Sequence, residues 1–248
     1  MIENLVSFII PNRGGKDLDK VIQNINEVYS DMNKEIIIVE QCDNIPFMRG
    51  QLFNIGVNFA KGKYIALSDN DIYHLRKVPW IDIYENVKKP LIGFKYISQI
   101  TLNNKKAIIT KTSYVPKGLG AFNFMKKQDF INFNGFSNLF IGWGYEDNEY
   151  ATRFEYIRIP QNLGHLTHPR RQNNNIKNTT LNLEFLNTNK NRNNLNDGYN
   201  QTKFNLIKKE IKNNVIYLYV NKISVIEDFK YKDLLEKHYA ILENKEGI

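Results

Sequence analysis

This chain has too little cysteine for a disulfide: its 248 residues contain a single one, Cys42. A lone thiol fits a reducing compartment, so the expected location is the cytoplasm. No apolar run approaches the ~20 residues of a membrane span. The apolar stretch at residues 5–10 is short and lacks the basic leader of a signal peptide. Internal repeats and Pro- or Ser-rich linkers are missing. So is a basic stripe with interleaved aromatics, which leaves no footprint for nucleic acid. Histidine is scarce as well, with four in all, two of them at positions 165 and 168.

What is present supports a folded domain. A hydrophobic share of 42% with 12% aromatics supplies a core and excludes wholesale disorder. The length suits one large α/β domain or two small ones. A net charge of +8 points to an anionic partner: nucleotide phosphates, an acidic glycan or an anionic membrane surface. Part of that charge is lysine scattered through an Asn- and Ile-rich background.

Periodicity gives the order of elements. Residues 5–11 read as a buried strand stopped by Pro11, followed by a loop containing Arg13, Gly14 and Gly15. Residues 16–29 have helical spacing, 35–40 form a second buried strand, and 48–60 a second helix closed by Gly62 as a C-terminal signal. A third strand spans 64–68. This β-α-β-α-β order predicts a parallel sheet whose carboxyl edge binds a nucleotide. The loop after the first strand offers backbone N–H groups and Arg13 to an anion. Further on, 79–87 reads as a short helix, 91–100 and 107–112 as strands, 127–133 as a helix, and 146–154 as another. Residues 156–159 are a further strand. The segment 170–203 reads as a long basic loop, either disordered, a lid or a membrane-docking surface, with at most a short helix at 180–186. A hairpin of 211–220 with 222–226 and an amphipathic helix at 231–242 complete the chain.

Three motifs carry chemistry. The strand ending at Ser68 runs into Asp69-Asn70-Asp71, two carboxylates on one side of an extended segment. They can share a hard divalent ion, or one can hold the ion while the other holds a sugar hydroxyl. The tripeptide alone is more often a solvated turn. In Gly142-Trp143-Gly144-Tyr145-Glu146-Asp147 the acids suit a helix N-terminus. An indole between glycines followed by paired acids is also what a sugar site looks like. His165 and His168, three apart, read as metal ligands beside a carboxylate. Gly118-Leu119-Gly120 is small-residue backbone suited to a ligand's close approach.

Taken together, Pro11-Asn12-Arg13, Phe47 to Asn54, Ser68 to Asp71, Asn134-Gly135-Phe136, Gly142 to Asp147 and His165 to His168 resemble the β-1,4-galactosyltransferase family. The likeness is greater to its bacterial members and related capsule-polymerase domains. It runs from about residue 5 to 168 and does not cover the tail after 170. The Gly-Trp-Gly-x-Glu-Asp element is its most specific part.

The resemblance implies a GT-A glycosyltransferase fold, a Rossmann-like mixed sheet flanked by helices. It would comprise a catalytic core over 1–168 (donor half to about 75, acceptor half beyond) with 169–248 packed on the same domain. It further implies a UDP-sugar donor, galactose foremost, and inversion by one direct displacement. The implied cofactor is manganese, with magnesium acceptable. The acceptor would be a glycan or lipid-linked glycan in surface polysaccharide or lipooligosaccharide synthesis, with the enzyme peripheral at the membrane's inner face. Carried over by position, Pro11, Arg13, Phe47, Arg49, Asp69, Asn70, Gly120 and Trp143 bind the nucleotide sugar. Asp71, His165 and His168 hold the metal. Trp143, Gly144, Glu146 and Asp147 meet the acceptor, with Asp147 as base. His165 stands where animal members have methionine, and Lys117 stands near an aromatic that contacts the donor sugar in galactose-specific members. The competing readings are an N-acetylgalactosaminyl- or glucuronyl-transferase, a catalytically silent glycan- or nucleotide-binding module, and a basic nucleic-acid binder.

Overall fold

A computed structural model describes residues 2–43, 46–93, 96–103, 106–114, 120–142, 144–159, 163–166, 182–183, 186–187 and 197–221. The N-terminal part follows the expected order: β1 (Ile2–Asn12), α1 (Leu18–Val28), β2 (Lys34–Gln41), α2 (Arg49–Phe59) and β3 (Gly62–Ser68). Near-continuous apolar runs such as Ile36 to Val39 are what a strand buried on both faces requires, and those four residues are buried. β1 lies between β2 and β3 and pairs with both in parallel.

Pro11 does not stop β1. The strand reaches Asn12, with Pro11 opposite Val39, while pairing to β3 ends at Ile9 opposite Leu67. The imino nitrogen therefore falls beyond the β3 ladder, where no donor is needed. Gly62 is not the cap of α2 either, because that helix ends at Ala60 in an extended conformation. Gly62 opens β3 instead, where a Cβ would come within 2.6 Å of the Leu5 carbonyl and 2.7 Å of Ser7 Oγ.

The chain continues through β4 (Ile72–His74), α3 (Trp80–Val87), β5 (Leu91–Ile92), β6 (Tyr96–Asn103), β7 (Lys106–Tyr114), β8 (Phe122–Lys126) and α4 (Lys127–Asn132). Next come α5 (Glu146–Tyr150), β9 (Ile157–Arg158), β10 (Leu163–Leu166), a 3-10 turn at Tyr199–Gln201, β11 (Asn205–Lys212) and β12 (Val215–Asn221). Among the described residues the strands form two sheets, one in the order β11-β12-β2-β1-β3-β8-β5-β9 and one in the order β4-β10-β6-β7.

Several elements differ from the sequence reading: the strand expected over 91–100 divides into β5 and β6, which belong to different sheets, and β4 and β10 were not foreseen. β8, unforeseen, is the antiparallel neighbour of β3, with Leu67 opposite Asn123. Its Phe122 and Phe124 pack on Trp80, ring centroids 4.9 and 5.9 Å away, which fastens α3 over the sheet. The expected helix from Glu146 stops at Tyr150. The C-terminal hairpin turns at Asn213-Asn214, both at positive φ, and pairs β11 with β12. The expected partner strand at 222–226 and the helix at 231–242 lie outside the described residues. β12 then adds in parallel to the outer edge of β2, with Ile216 opposite Ile37.

Candidate active site

The parallel strands β1, β2 and β3 end at one edge, and several of the groups singled out in the sequence collect there among the described residues. Asp69 leaves β3 and is tied to β8 by its backbone N–H, which donates to the Ala121 carbonyl at 2.9 Å. Three residues on, Ile72 begins β4 and pairs with His165 of β10, while the Leu166 N–H donates to the Asp71 carbonyl at 2.9 Å. That register brings His165 Nε2 to 3.1 Å from Asp71 Oδ2. Burial lowers the imidazole's proton affinity, but Asp71 and then Asp69 outweigh it, so its pKa is raised overall.

A carboxylate oxygen and an imidazole nitrogen converging in this way fit a hard-to-borderline divalent ion such as manganese or magnesium. Among the described residues no group of three such side chains makes a complete metal site. His168, the expected third ligand, lies outside them.

Arg49, the first residue of α2, joins the two halves of the site. Its Nε donates to Asp69 Oδ1 at 2.5 Å and its Nη1 to Glu146 Oε1 at 3.1 Å, with the guanidinium 4.9 Å from the Phe53 ring. Only 10% of this side chain is exposed, so the two carboxylates compensate a charge that water does not reach. Burial raises the Asp69 pKa, with Arg49 pulling the other way and Asp71 adding to the rise. Burial likewise lifts Glu146 to about 7, against Arg49 and with Asp147.

Phe47 and Arg13 face each other on neighbouring loops, the guanidinium 5.7 Å from the ring. Gln41 shapes the Phe47 loop by accepting from the Met48 N–H at 2.9 Å and donating to the Pro46 carbonyl at 3.1 Å. One expectation fails here. The backbone N–H groups of the loop after β1 do not stand open to an anion: Gly14 donates to Glu40 Oε1 at 2.9 Å and Gly15 to Asn12 Oδ1 at 3.2 Å. The acid at the end of β2 has taken the place of an external anion.

On the acceptor side, Gly142, Gly144 and Tyr145 all have positive φ, which turns the chain sharply into α5. The Gly144 N–H donates to Glu146 Oε2 at 3.1 Å. Gly120, expected to approach the donor, donates its N–H to Asp147 Oδ2 at 3.2 Å and so orients that carboxylate. Trp143 lies outside the described residues, as does Lys117, but its flanks are held. Asn182, buried, donates Nδ2 to the Ile141 and Gly144 carbonyls at 3.1 and 2.8 Å.

The loop leading into this turn is held by side chains from distant positions. Asn54 donates to the Phe136 carbonyl and accepts its N–H, at 2.8 and 2.9 Å. Asp197 accepts from Ser137 Oγ and from the Asn138 N–H. Arg153 Nη1 reaches the carbonyls of Asn134, Gly135 and Asp197 at 3.0–3.2 Å. Sequence reasoning assigned none of these roles, nor those of Asn12, Glu40 and Asn182. Glu40 had a signal, an acid ending a buried strand as Asp69 does. Asn182 had none in an Asn-rich tail.

Known proteins resemble this chain in sequence and in fold. Residues 110–171 match the family model described as "N-terminal domain of galactosyltransferase". In sequence the chain is 28% identical over 134 residues to beta-1,4-galactosyltransferase 7 of Drosophila melanogaster. It is also 26% identical over 144 residues to xylosylprotein 4-beta-galactosyltransferase of Caenorhabditis elegans. In sequence the chain is thus similar to β-1,4-galactosyltransferases over about half its length. The matches cover 52% and 55% of this chain but only 38% and 42% of those curated relatives.

The fold extends the likeness further. The Drosophila beta-1,4-galactosyltransferase 7 catalytic domain, crystallised with xylobiose, superposes with a TM-score of 0.65 at 20% identity, covering 90% of this chain and 95% of that one. A complex of a mutant of the same fly protein with manganese, UDP-Gal and xylobiose gives 0.64 at 17% identity, with the same coverage. The chain has the GT-A fold. At 90% coverage that likeness enters the tail that the sequence motifs left uncovered.

Proposed function

We propose that this relative of the galactosyltransferases is an inverting, metal-dependent glycosyltransferase that moves galactose from UDP-galactose to a glycan hydroxyl. The observation that carries the reading is Arg49 bound at once to Asp69 and Glu146, which locks a donor acid and an acceptor acid into one site. Beside them stand the Asp71–His165 pair and the oriented carboxylate of Asp147. A binding module has no need of that last group.

Asp71, His165 and His168 would hold the ion, manganese or magnesium, whose contribution is to neutralise charge on the departing diphosphate. The chain's own residues do the remainder. Arg13 and Phe47 present a cation and an aromatic face to the nucleotide, with Pro11 nearby in sequence at the end of β1. Asn70 and Gly120 act from behind, binding Asn12 and Asp147 respectively. Glu146 and Gly144 shape the acceptor side, and Trp143 covers the sugar. Asp147 removes the proton from the acceptor hydroxyl as the new glycosidic bond forms and the bond to the diphosphate breaks. Arg49 holds Asp69 and Glu146 in fixed positions, so little reorganisation accompanies the step.

For the acceptor class we take a pyranose hydroxyl on a glycan or lipid-linked glycan, as in surface polysaccharide synthesis. The crystal complex of the fly relative with UDP-Gal and xylobiose supports the sugar chemistry. The net charge of +8 supports work at an anionic membrane on the cytoplasmic side. Among the described residues no helix is long and apolar enough to cross a membrane.

The test is UDP release from a panel of UDP-sugars, with manganese and with EDTA, using xylobiose and hexose acceptors. Metal-dependent release from UDP-galactose alone is the expected result. Release from an N-acetylgalactosaminyl or glucuronyl donor would move the reading to those transferases. Failure of manganese-dependent UDP binding by calorimetry would reduce the chain to a silent module.

A further inference from the structure

The three parallel strand ends are stapled together by one buried amide. Asn12, the last residue of β1, lies opposite Glu40 in the parallel register and is 4% exposed. Its Nδ2 donates to Glu40 Oε2 at 2.5 Å. Its Oδ1 accepts twice, from the Gly15 N–H at 3.2 Å and from Asn70 Nδ2 at 2.6 Å. Glu40 closes the ring by accepting the Gly14 N–H at 2.9 Å. The amide has one orientation only: two N–H donors face its oxygen and a carboxylate faces its nitrogen. Space is as tight as the bonding, because a Cβ on Gly15 would collide with the Asn12 and Asn70 amides.

The relay links two pieces that have to meet one ligand. At one end is the loop that carries Arg13. At the other is Asn70, between Asp69, which Arg49 holds, and Asp71, which faces His165. We propose that Asn12, oriented by Glu40, is a positioning residue for the donor nucleotide sugar. It fixes the separation between the Arg13 loop and the Asp69-Asn70-Asp71 turn, so that cation and metal-binding carboxylate address the same diphosphate. It touches no substrate itself. The inference rests on the transferase reading above and adds residues to its donor half.

A polarity swap tests it. Asn12→Asp sets two carboxylates against each other, and Glu40→Gln leaves an amide donor facing either Gly14 N–H or Asn12 Nδ2. In the double variant the new glutamine donates to the new aspartate and accepts from Gly14, which restores every hydrogen bond at the native net charge. Manganese-dependent UDP binding by the full chain, measured by calorimetry, is the readout. Each single variant is expected to bind about tenfold more weakly, the worth of one such hydrogen bond. The double variant should return to within about threefold of native on the same scale, and the acceptor KM should not move.

Asn70→Ala, which cuts only the link to the turn and leaves Asn12 on Glu40, should also lose about tenfold. It serves if the charge variants fold poorly. Native affinity in Asn70→Ala, or a double variant no better than the singles, would overturn the inference while leaving the transferase intact. So would variants that lower only the unfolding midpoint. A native chain that binds no UDP with manganese would overturn both.

Discussion

Where β1, β2 and β3 end, the backbone ladder itself carries Asn12, Glu40 and Asp69 to a common edge. Across the site, the described residues between α4 and α5 belong to no strand and are held by Asn54, Arg153, Asp197 and Asn182. One half is thus placed by main-chain pairing over a buried core and the other by side chains borrowed from distant positions. A ladder tolerates the loss of a single side chain, because its neighbours still fix the register. A loop held by a few buried polar contacts does not, since each lost partner strands a desolvated group.

The largest expected effect sharpens the division of labour. Asp147→Asn should cut turnover by ~100- to 10,000-fold, the usual worth of a positioned base, while UDP binding by calorimetry stays near native. Near-native turnover would remove Asp147 from the chemistry. Next, Arg153→Ala removes a donor from four carbonyls and takes the ion-pair partner from Glu149. Breaking a buried pair of this kind costs about 3–5 kcal/mol, readable in urea unfolding. In the folded fraction the acceptor KM should rise while UDP affinity holds. An equal loss on both sides would mean the halves are not held independently.

A pH profile probes the bridge between them. Burial lifts Glu146 to about 7, so between the ordinary carboxylate range and that value the folded chain keeps a proton the unfolded chain has lost. The sign follows: stability falls as pH rises through that window. Glu146 becomes fully charged only above it, so the acceptor KM should fall as pH rises through about 7. Glu146→Gln should flatten that limb, and a limb that survives the substitution belongs to another group. The smallest effect is expected at the far edge of the sheet. Ile211, 67% exposed on β11, should tolerate Ile211→Thr within about 0.5 kcal/mol, and a large loss there would mean that this strand is covered.

The same contrast explains what the sequence disclosed. Strands buried on both faces announce themselves as apolar runs, so the β-α-β-α-β order and the acid-tipped ends of β3 were readable from residues 5–71. His165 could be paired with the Asp-Asn-Asp turn by chemistry alone. β8 escaped because Phe122-Asn123-Phe124 follows a glycine loop without a turn signal on its other side. The hairpin was misplaced because β11 is an edge strand with Leu206, Ile207 and Ile211 all exposed, so no burial pattern marks it. Asn213-Asn214, a pair suited to positive φ, was the signal that could have placed the turn. The polar clasp on the acceptor loop was illegible for a different reason. Asn54, Asn138 and Asp197 are ordinary polar residues until the fold brings them together.

The parallel addition of β12 to β2 bears on how the chain is made. Residues 42–214 separate these two strands, yet they are neighbours in the sheet. During synthesis the outer edge of β2 therefore stays unpaired until β12 leaves the ribosome. Such an open, apolar edge invites pairing with other chains. Productive folding then waits on a long-range closure, which is slow by its topology. Yield during expression should accordingly depend on temperature and chaperone supply more than the stability of the finished fold would suggest.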